Sequence, residues 1–361
     1  MEMKKVLPIL IAILLVGTLL PLSVSSNDSY QYKYGLPYIE PDAYHHVTTH
    51  AGVQSGTGSP PIIKCKWERP DNDTLTSGTQ VLPNVGGKVT VYYYAVVTDP
   101  QGVDTVQAVY VDVWHPDKTF KYEIELNHTV TGPQAANMVQ DAYDDGILVT
   151  NTSYTLSEIK DELIQYEAYL WWGSADLDYC QPAGNYTVAA RAVDNYAEWS
   201  DPLWNTFWYI PVAAIQIDFT DVYYETATIS TTKWVGGDYN FGTSDKPTIR
   251  NIGNTPVKIN IQQDDMNFGK TGDDWNVKFD ARLGSDISNA VEYWPEQTAI
   301  LNGSIPLCTE EKIDFSIHIY KGVAGHDYTG SMTIWPTIYD WPPYTTPSVY
   351  VTTPPGGTPT P

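Results

Sequence analysis

Apolar and polar residues alternate in several short stretches of this chain, and no other feature restricts its fold as strongly. Residues 89–97, 109–113 and 120–126 each carry an apolar residue at every second position. A period of two with one apolar face is typical of a half-buried β-strand. Pro116 and Asp117 lie between two of these runs, and they predict a hairpin turn.

The same alternation returns in the second half of the chain, over residues 257–261, 275–279 and 313–319. Several short strands at this spacing are typical of a sandwich. The sequence therefore predicts two β-sandwich domains, residues 58–210 and 211–340.

One stretch of the first domain has a helical period instead. Thr155 and Glu158 match a capping box, which marks a helix N-terminus. Apolar residues then follow at spacings of four, three and four: Ile159, Leu163, Tyr166 and Leu170. We expect a helix near 155–172, ended by Gly173, and a weaker one over 133–143.

The two ends of the chain differ from the middle. Residues 1–26 have a basic start, a long apolar run and small residues up to Ser26, which predicts a cleaved signal peptide. An uncleaved membrane anchor is the alternative. Residues 27–57 have no regular period and form an extended leader, whereas residues 341–361 are rich in Pro and Thr and predict a stalk.

Charge and cysteine content limit the partners and the compartment. A net charge of −23 excludes nucleic acid as a partner, because binding it needs a basic surface. Three cysteines in an exported chain allow one disulfide. We expect Cys65 to pair with Cys180, which leaves Cys308 alone; the alternative is three buried thiols.

Export also makes glycosylation relevant. Six asparagines match the Asn-x-Ser/Thr acceptor pattern: Asn27, Asn72, Asn127, Asn151, Asn185 and Asn302. No hydrolase motif of the G-x-S-x-G or H-E-x-x-H type occurs, so we expect no catalytic activity. A glycoside hydrolase built on a carboxylate pair is the remaining enzymatic alternative.

An acidic loop, consisting of Asp264, Asp265, Asn267, Asp273 and Asp274, is the one candidate metal site. Calcium prefers hard oxygen ligands, and a carboxylate-rich loop supplies them. Lys270 opposes a cation there, and a solvated turn is the alternative. The histidines at 45, 46 and 50 have no fixed geometry that would align them for a metal.

Trp171 and Trp172 stand side by side at the predicted end of the helix. Two adjacent residues cannot both face inward on one helix, so one of them is a candidate surface platform for a sugar ring. Packing in a core or an interface is the alternative.

Two motifs resemble known extracellular proteins. Residues 184–188 (GNYTV), followed by 192–194 (AVD), resemble the penultimate strand of Ig-like modules. Residues 247–261, with their Asn-x-Gly-Asn turn, and residues 264–284 are similar to exported surface proteins of methanogenic archaea. The resemblance implies an all-β fold of two Ig-like β-sandwich domains, the first with a helical insertion, in a cell-envelope setting.

These observations together predict an extracellular structural or adhesive protein of the cell envelope. We expect its partners to be other envelope proteins or glycans, with self-association and with no cofactor other than calcium. A glycan- or peptide-binding module is the alternative function.

Overall fold

The computed structural model describes residues 58–242 and 246–339, together with the backbone of 348–352. The predicted signal peptide and leader lie outside these residues, as does most of the predicted stalk. Strands β1 to β10 precede residue 210: β1 Ile62–Arg69, β2 Gln80–Val81, β3 Lys88–Thr98, β4 Val106–Trp114, β5 Phe120–Glu125, β6 His128–Val130, β7 Val149–Thr150, β8 Ala168–Asp178, β9 Gly184–Asp194 and β10 Leu203–Tyr209.

The remaining strands follow residue 210. They are β11 Val212–Ile217, β12 Thr232–Val235, β13 Thr248–Asn251, β14 Val257–Gln263, β15 Lys270–Thr271, β16 Asp274–Trp275, β17 Val277–Leu283, β18 Val291–Tyr293, β19 Ala299–Ile300, β20 Glu310–Ile319, β21 Met332–Ile338 and β22 Ser348–Thr352. Helix α1 spans Gly132–Asp144 and helix α2 spans Leu156–Ile164.

Strands β1 to β10 form a first sandwich of two sheets. One sheet has the order β6-β8-β3-β1-β7 and the other has the order β2-β10-β9-β4-β5. Tyr186 lies near the start of β9, the penultimate strand, and its hydroxyl donates to the carbonyl oxygen of Pro182 at 2.9 Å. This contact is the tyrosine corner of Ig-like domains. The predicted Ig-like β-sandwich fold is therefore confirmed.

Inward-facing side chains of the two sheets fill the core of the first sandwich. Val91, Val111 and Val188 are fully buried there, and Phe207 is almost completely buried. Burial of each such side chain contributes about 1.5–3 kcal/mol of transfer free energy. Burial of the alternating apolar residues is therefore the main contribution that holds the two sheets together.

Helices α1 and α2 cover the outer face of the β1–β3–β8 sheet, where a second apolar cluster includes Cys65, Val139 and Leu163. The predicted capping box is confirmed, because Thr155 accepts from the Glu158 backbone N–H and Glu158 reaches back to Thr155. The predicted extent to residue 172 is wrong. The helix ends at Ile164, and Tyr166 takes a left-handed φ of 61°.

The chain after Tyr166 is strand rather than helix because β8 pairs with β3 along its whole length, from Ala168↔Thr98 to Asp178↔Lys88. Long-range pairing here overrides a local helical spacing. Leu170 is still buried, but from a strand that faces the helices.

Strands β11 to β22 form a second sandwich. One sheet has the order β18-β17-β20-β13-β11-β22, with β12 also on β20, and it faces a sheet of order β19-β14-β21. Ile259, Phe279 and Phe315 are fully buried between them. The alternating runs predicted over 257–261 and 313–319 are thus strands with their apolar residues inside.

Part of the predicted stalk is also a strand. Ser348–Thr352 pairs in parallel with β11, from Val212↔Ser348 to Gln216↔Thr352. The prediction of a continuous stalk over 341–361 is corrected at these residues, since β11 otherwise leaves a row of backbone hydrogen-bonding groups at a sheet edge. Within the described residues, no helix has the length and apolar character needed to cross a bilayer.

Candidate functional site

The Asn-x-Gly-Asn turn singled out in the sequence lies where the two sandwiches meet. Asn251 at the end of β13 is fully buried. Its amide nitrogen lies within hydrogen-bond distance of the carbonyl oxygens of Thr255, Ile305 and Pro306, at 2.8, 3.0 and 3.1 Å. The side chain therefore fixes the shape of the turn by satisfying backbone groups that are shielded from water.

Asn254 and Gly253 hold the segment that connects the sandwiches. The Asn254 side chain accepts from the Val212 N–H at 2.7 Å and donates to the Ile210 carbonyl oxygen at 2.8 Å. A Cβ atom on Gly253 would collide with the Val212 carbonyl oxygen. Glycine is needed here because the turn and the connecting segment approach each other backbone to backbone.

Two loops of the first sandwich reach the same turn. The Gly86 N–H donates to the Ile252 carbonyl oxygen at 2.9 Å, and the Ala183 N–H donates to the Asn254 carbonyl oxygen at 3.0 Å. An apolar cluster surrounds these bonds: Leu82, Val85 and Tyr179 from the first sandwich, and Val212, Ala214 and Ile252 from the second. We call this region, from Leu82 to Gly86, Tyr179 to Ala183 and Asn251 to Asn254, the junction.

A disulfide between Cys180 and Cys308 closes the junction covalently. Their Cα atoms are 5.1 Å apart, within the usual range for a disulfide. The bond joins the β8–β9 loop of the first sandwich to the loop before β20 of the second. It thus constrains the relative position of two domains, which neither the spacing nor the number of cysteines indicates.

The predicted Cys65–Cys180 pairing is wrong. Cys65 is a free, buried cysteine on β1, below the two helices, where burial raises the pKa of its thiol. Cys180 instead lies in a loop at the far end of the same domain. Asp178 lies close to both bonded sulfurs, but sulfurs that are bonded to each other are not thiolate ligands for a metal.

A polar cluster inside the first sandwich is the second unusual feature. Lys66 and Glu68 are two residues apart on β1 and face the core, with 1% and 0% of their side chains exposed. The Lys66 Nζ donates to a Glu68 carboxylate oxygen at 2.6 Å and lies against the amide oxygen of Asn205 on β10. The Asn205 amide nitrogen donates to the other Glu68 oxygen at 2.6 Å.

Burial lowers the pKa of Lys66, and the adjacent Glu68 carboxylate partly opposes that shift. Tyr93 lies nearby with its hydroxyl 2.8 Å from that of Tyr122. Burial raises the pKa of Tyr93, with smaller contributions from Tyr122 and Glu68, and it raises the pKa of Tyr122 to about 12. Both phenols are therefore neutral, and the amine is easier to deprotonate than an exposed lysine.

Trp171 and Trp172 lie on β8, so the prediction that they end a helix is wrong. Adjacent strand residues point to opposite faces. Trp171 packs against the core of the first sandwich, whereas Trp172 lies on the outer face. There the Trp172 ring centroid is 4.3 Å from that of His128 and 6.1 Å from that of Tyr92. We call His128, Tyr92 and Trp172 the aromatic surface.

The aromatic surface continues under the helices. Trp172 stacks beside Tyr94 at 6.4 Å, and Tyr94 stacks on the buried Trp67 at 4.9 Å. One end of the row is covered by protein, and the other end is open to solvent.

The acidic loop is organised by its own backbone. The Asp264 carboxylate accepts from the N–H groups of Met266 and Ser331, at 2.9 and 2.7 Å. Asp265 accepts from two further N–H groups of the loop. Among the described residues, the loop's aspartates do not form a close cluster of ligand atoms. Calcium binding at this loop stays a prediction.

The six acceptor asparagines differ in access. Four of them are exposed: Asn72, Asn127, Asn185 and Asn302. Asn151 is half-buried, and its amide nitrogen donates to the Ile63 carbonyl oxygen at 3.3 Å. Asn27 and the leader histidines lie outside the described residues.

Sequence reasoning missed the roles of Lys66, Glu68 and Asn205. One signal is present, because Lys66 and Glu68 place two opposite charges at alternate positions of strand β1, on the face that turns inward. Asn205 could not be linked to them, since 139 residues separate it from Lys66.

No protein-family model and no curated protein matches the chain. Solved structures that resemble it include a C-terminal domain of the AgI/II polypeptide BspA from Streptococcus agalactiae, with 8% identity over 78% of this chain and 96% of that chain, at a TM-score of 0.21. The C-terminal domain of the antigen I/II-family protein AspA from Streptococcus pyogenes has 12% identity over 81% and 99%, at a TM-score of 0.22. A chaperone–tip adhesin complex of CFA/I fimbriae has 11% identity over 79% and 92%, at a TM-score of 0.26. At these TM-scores the likeness carries no argument about function.

Proposed function

We propose that this chain is an exported structural or adhesive component of the cell envelope, in which two sandwiches act as one rigid unit. The observation that carries the proposal is the Cys180–Cys308 disulfide across the junction. Disulfides persist in oxidising compartments, so a structural disulfide favours an extracellular location.

The junction supports the same proposal. Domains that move freely share few contacts, whereas here a buried turn, two backbone hydrogen bonds, an apolar cluster and a disulfide all join the same two loops to the second sandwich. Such a unit transmits force and holds a surface at a fixed distance. Its partners are other envelope proteins, glycans or further copies of itself, and it performs no catalysis.

Fractionation of the native source with thiol labelling tests this proposal. The protein should be found at the cell surface, should begin near Asn27, and should release two additional thiols on reduction. An intracellular protein with three free thiols would refute it. Size-exclusion chromatography with light scattering then measures self-association.

A second candidate function, binding of a glycan or peptide, is favoured by the aromatic surface. Tyr92 and His128 are exposed beside the half-buried Trp172, and aromatic faces stack on apolar faces of sugar rings. Glycan-array binding that is lost in Tyr92→Ala and retained in Tyr239→Ala, an exposed tyrosine of the second sandwich, would establish it. Equal binding by both variants would exclude the aromatic surface.

A further inference from the structure

The first and last long strands of the first sandwich lie in opposite sheets, and the Lys66, Glu68 and Asn205 cluster connects them across the core. Lys66 and Glu68 belong to β1 in one sheet, and Asn205 belongs to β10 in the other. The backbones of two strands in opposite sheets do not hydrogen-bond to each other, and these side chains supply hydrogen bonds between the two strands instead.

Burying an ammonium and a carboxylate in a core carries a large desolvation cost, which their mutual attraction need not repay. Apolar side chains of similar size would stabilise this position as well or better. Both Glu68 oxygens are used in the cluster, since one accepts from the Lys66 amine and the other accepts from the Asn205 amide nitrogen. A purely structural ion pair does not require the amine to lie against the carboxamide as well.

We propose that Lys66 and Asn205 join in an intramolecular isopeptide bond, with Glu68 as the residue that transfers protons. The proposal stands apart from the proposed function, since the bond would form in any folded copy of the first sandwich. It requires no metal, cofactor or oxidant.

The reaction balances within these three side chains. Glu68 takes a proton from the Lys66 ammonium, and the nitrogen lone pair of the neutral amine attacks Cγ of Asn205. Glu68 then gives that proton to Nδ2 and removes a second one from the attacking nitrogen. The carbonyl re-forms as the Cγ–Nδ2 bond breaks, and ammonia leaves with the proton that Glu68 carries, as ammonium.

The surroundings suit each step. Desolvation favours the neutral, nucleophilic form of a lysine, and here burial lowers the Lys66 pKa in that direction. Glu68 touches both nitrogens between which protons must move, at 2.6 Å each. The near-complete burial of Lys66 and Glu68 limits access of water, which would otherwise compete as a nucleophile.

Mass spectrometry of the reduced, denatured full chain tests the proposal. We expect a mass lower than that of the sequence by one molecule of ammonia. Trypsin cannot cut after an acylated lysine, so digestion should yield a branched peptide that joins residues 65–88 to residues 192–233. A full sequence mass with normal cleavage after Lys66 would overturn the proposal, and this measurement needs no variant.

Variants assign the roles. Lys66→Met and Glu68→Gln should each retain the full sequence mass, with a β-sheet circular dichroism spectrum as the check on folding. Lys64→Arg is the matched control, because Lys64 is a buried lysine on the same strand that pairs with Glu162 instead. It should lose ammonia as the wild type does. Loss of ammonia from folded Glu68→Gln would refute proton transfer by Glu68.

Discussion

The two sandwiches connect their first and last strands in different ways. In the second, β22 lies beside β11 in the same sheet, and backbone hydrogen bonds join them. In the first, β1 and β10 lie in opposite sheets, and side chains must cross the core. Backbone hydrogen bonds within a sheet depend little on side-chain identity, whereas hydrogen bonds across a sandwich depend on which side chains face each other. In the first domain, those side chains are Lys66, Glu68 and Asn205.

The disulfide should have the largest effect, because it joins the two differently closed domains. The double variant Cys180→Ser/Cys308→Ser opens a loop of 128 residues. On the chain-entropy account, this removes about 5 kcal/mol from the free energy of unfolding. We expect urea unfolding of this variant, monitored by tryptophan fluorescence, to show two separate transitions, one for each sandwich.

Cys65→Ala provides the control, since that thiol is free. It should keep a single transition that remains sensitive to reductant. A double serine variant that still unfolds in one transition at wild-type urea concentration would show that noncovalent contacts alone hold the junction.

Gly253→Ala tests whether the turn from Asn251 to Asn254 fixes the position of the second sandwich relative to the first. The new methyl group would meet backbone atoms of Val212 and Ala214, so we expect a loss of about 1–3 kcal/mol and weaker coupling of the domains. Gly236→Ala is the matched control, because its Cβ meets only an Asp314 oxygen at 3.8 Å. Equal thermal stability of the two variants would contradict the close approach.

One buried tyrosine hydroxyl in each sandwich allows the stability contributions of hydrogen bonds in the two cores to be compared. Tyr186→Phe in the first sandwich removes the hydrogen bond to Pro182, and we expect a cost of about 1.5 kcal/mol. Tyr293→Phe in the second removes a longer contact of 3.3 Å to Gln263, so its cost should be smaller. Chemical denaturation of both variants measures the difference, and the reverse order would contradict it.

Thr155→Ala should have the smallest effect, because α2 takes part in neither closure. Loss of the cap costs about 0.5–1 kcal/mol, detected as faster amide exchange in α2. Hydrogen bonds from Thr155 lower the pKa of Glu158. The contribution of the Glu158 carboxylate to the cap is therefore complete above the unfolded pKa of Glu158 and is lost as pH falls through the folded pKa. In Thr155→Ala, this acid sensitivity of α2 exchange should become smaller, because the bond from the hydroxyl is lost while the bond from the backbone N–H stays.

Much of the fold could be predicted because it depends on local alternation. The strands around Val111 and Ile259 and the Thr155 cap are all visible within a few consecutive residues. The failures involve partners far apart in the sequence. The residues next to Trp171 in the sequence do not indicate that this segment pairs with β3. Likewise, the residues next to Cys180 do not indicate whether its disulfide partner is Cys308 or Cys65.

The candidate sites follow the same division. The Asn-x-Gly-Asn turn was recognised as an element, but its contacts with Val212 and Ala183 come from the connection between domains. The inward positions of Lys66 and Glu68 can be predicted from strand periodicity. The position of Asn205 opposite them depends on the topology of the sandwich, which the local sequence does not indicate.

The disulfide also changes what proteolysis can do to this protein. A single cut anywhere between Cys180 and Cys308, for example at the exposed Tyr223, leaves two fragments that remain covalently attached. An isopeptide bond from Lys66 to Asn205 would extend this protection to every position from Lys66 to Cys308, because the two covalent loops overlap. A single protease cut within that range would then nick the chain without separating it into two molecules.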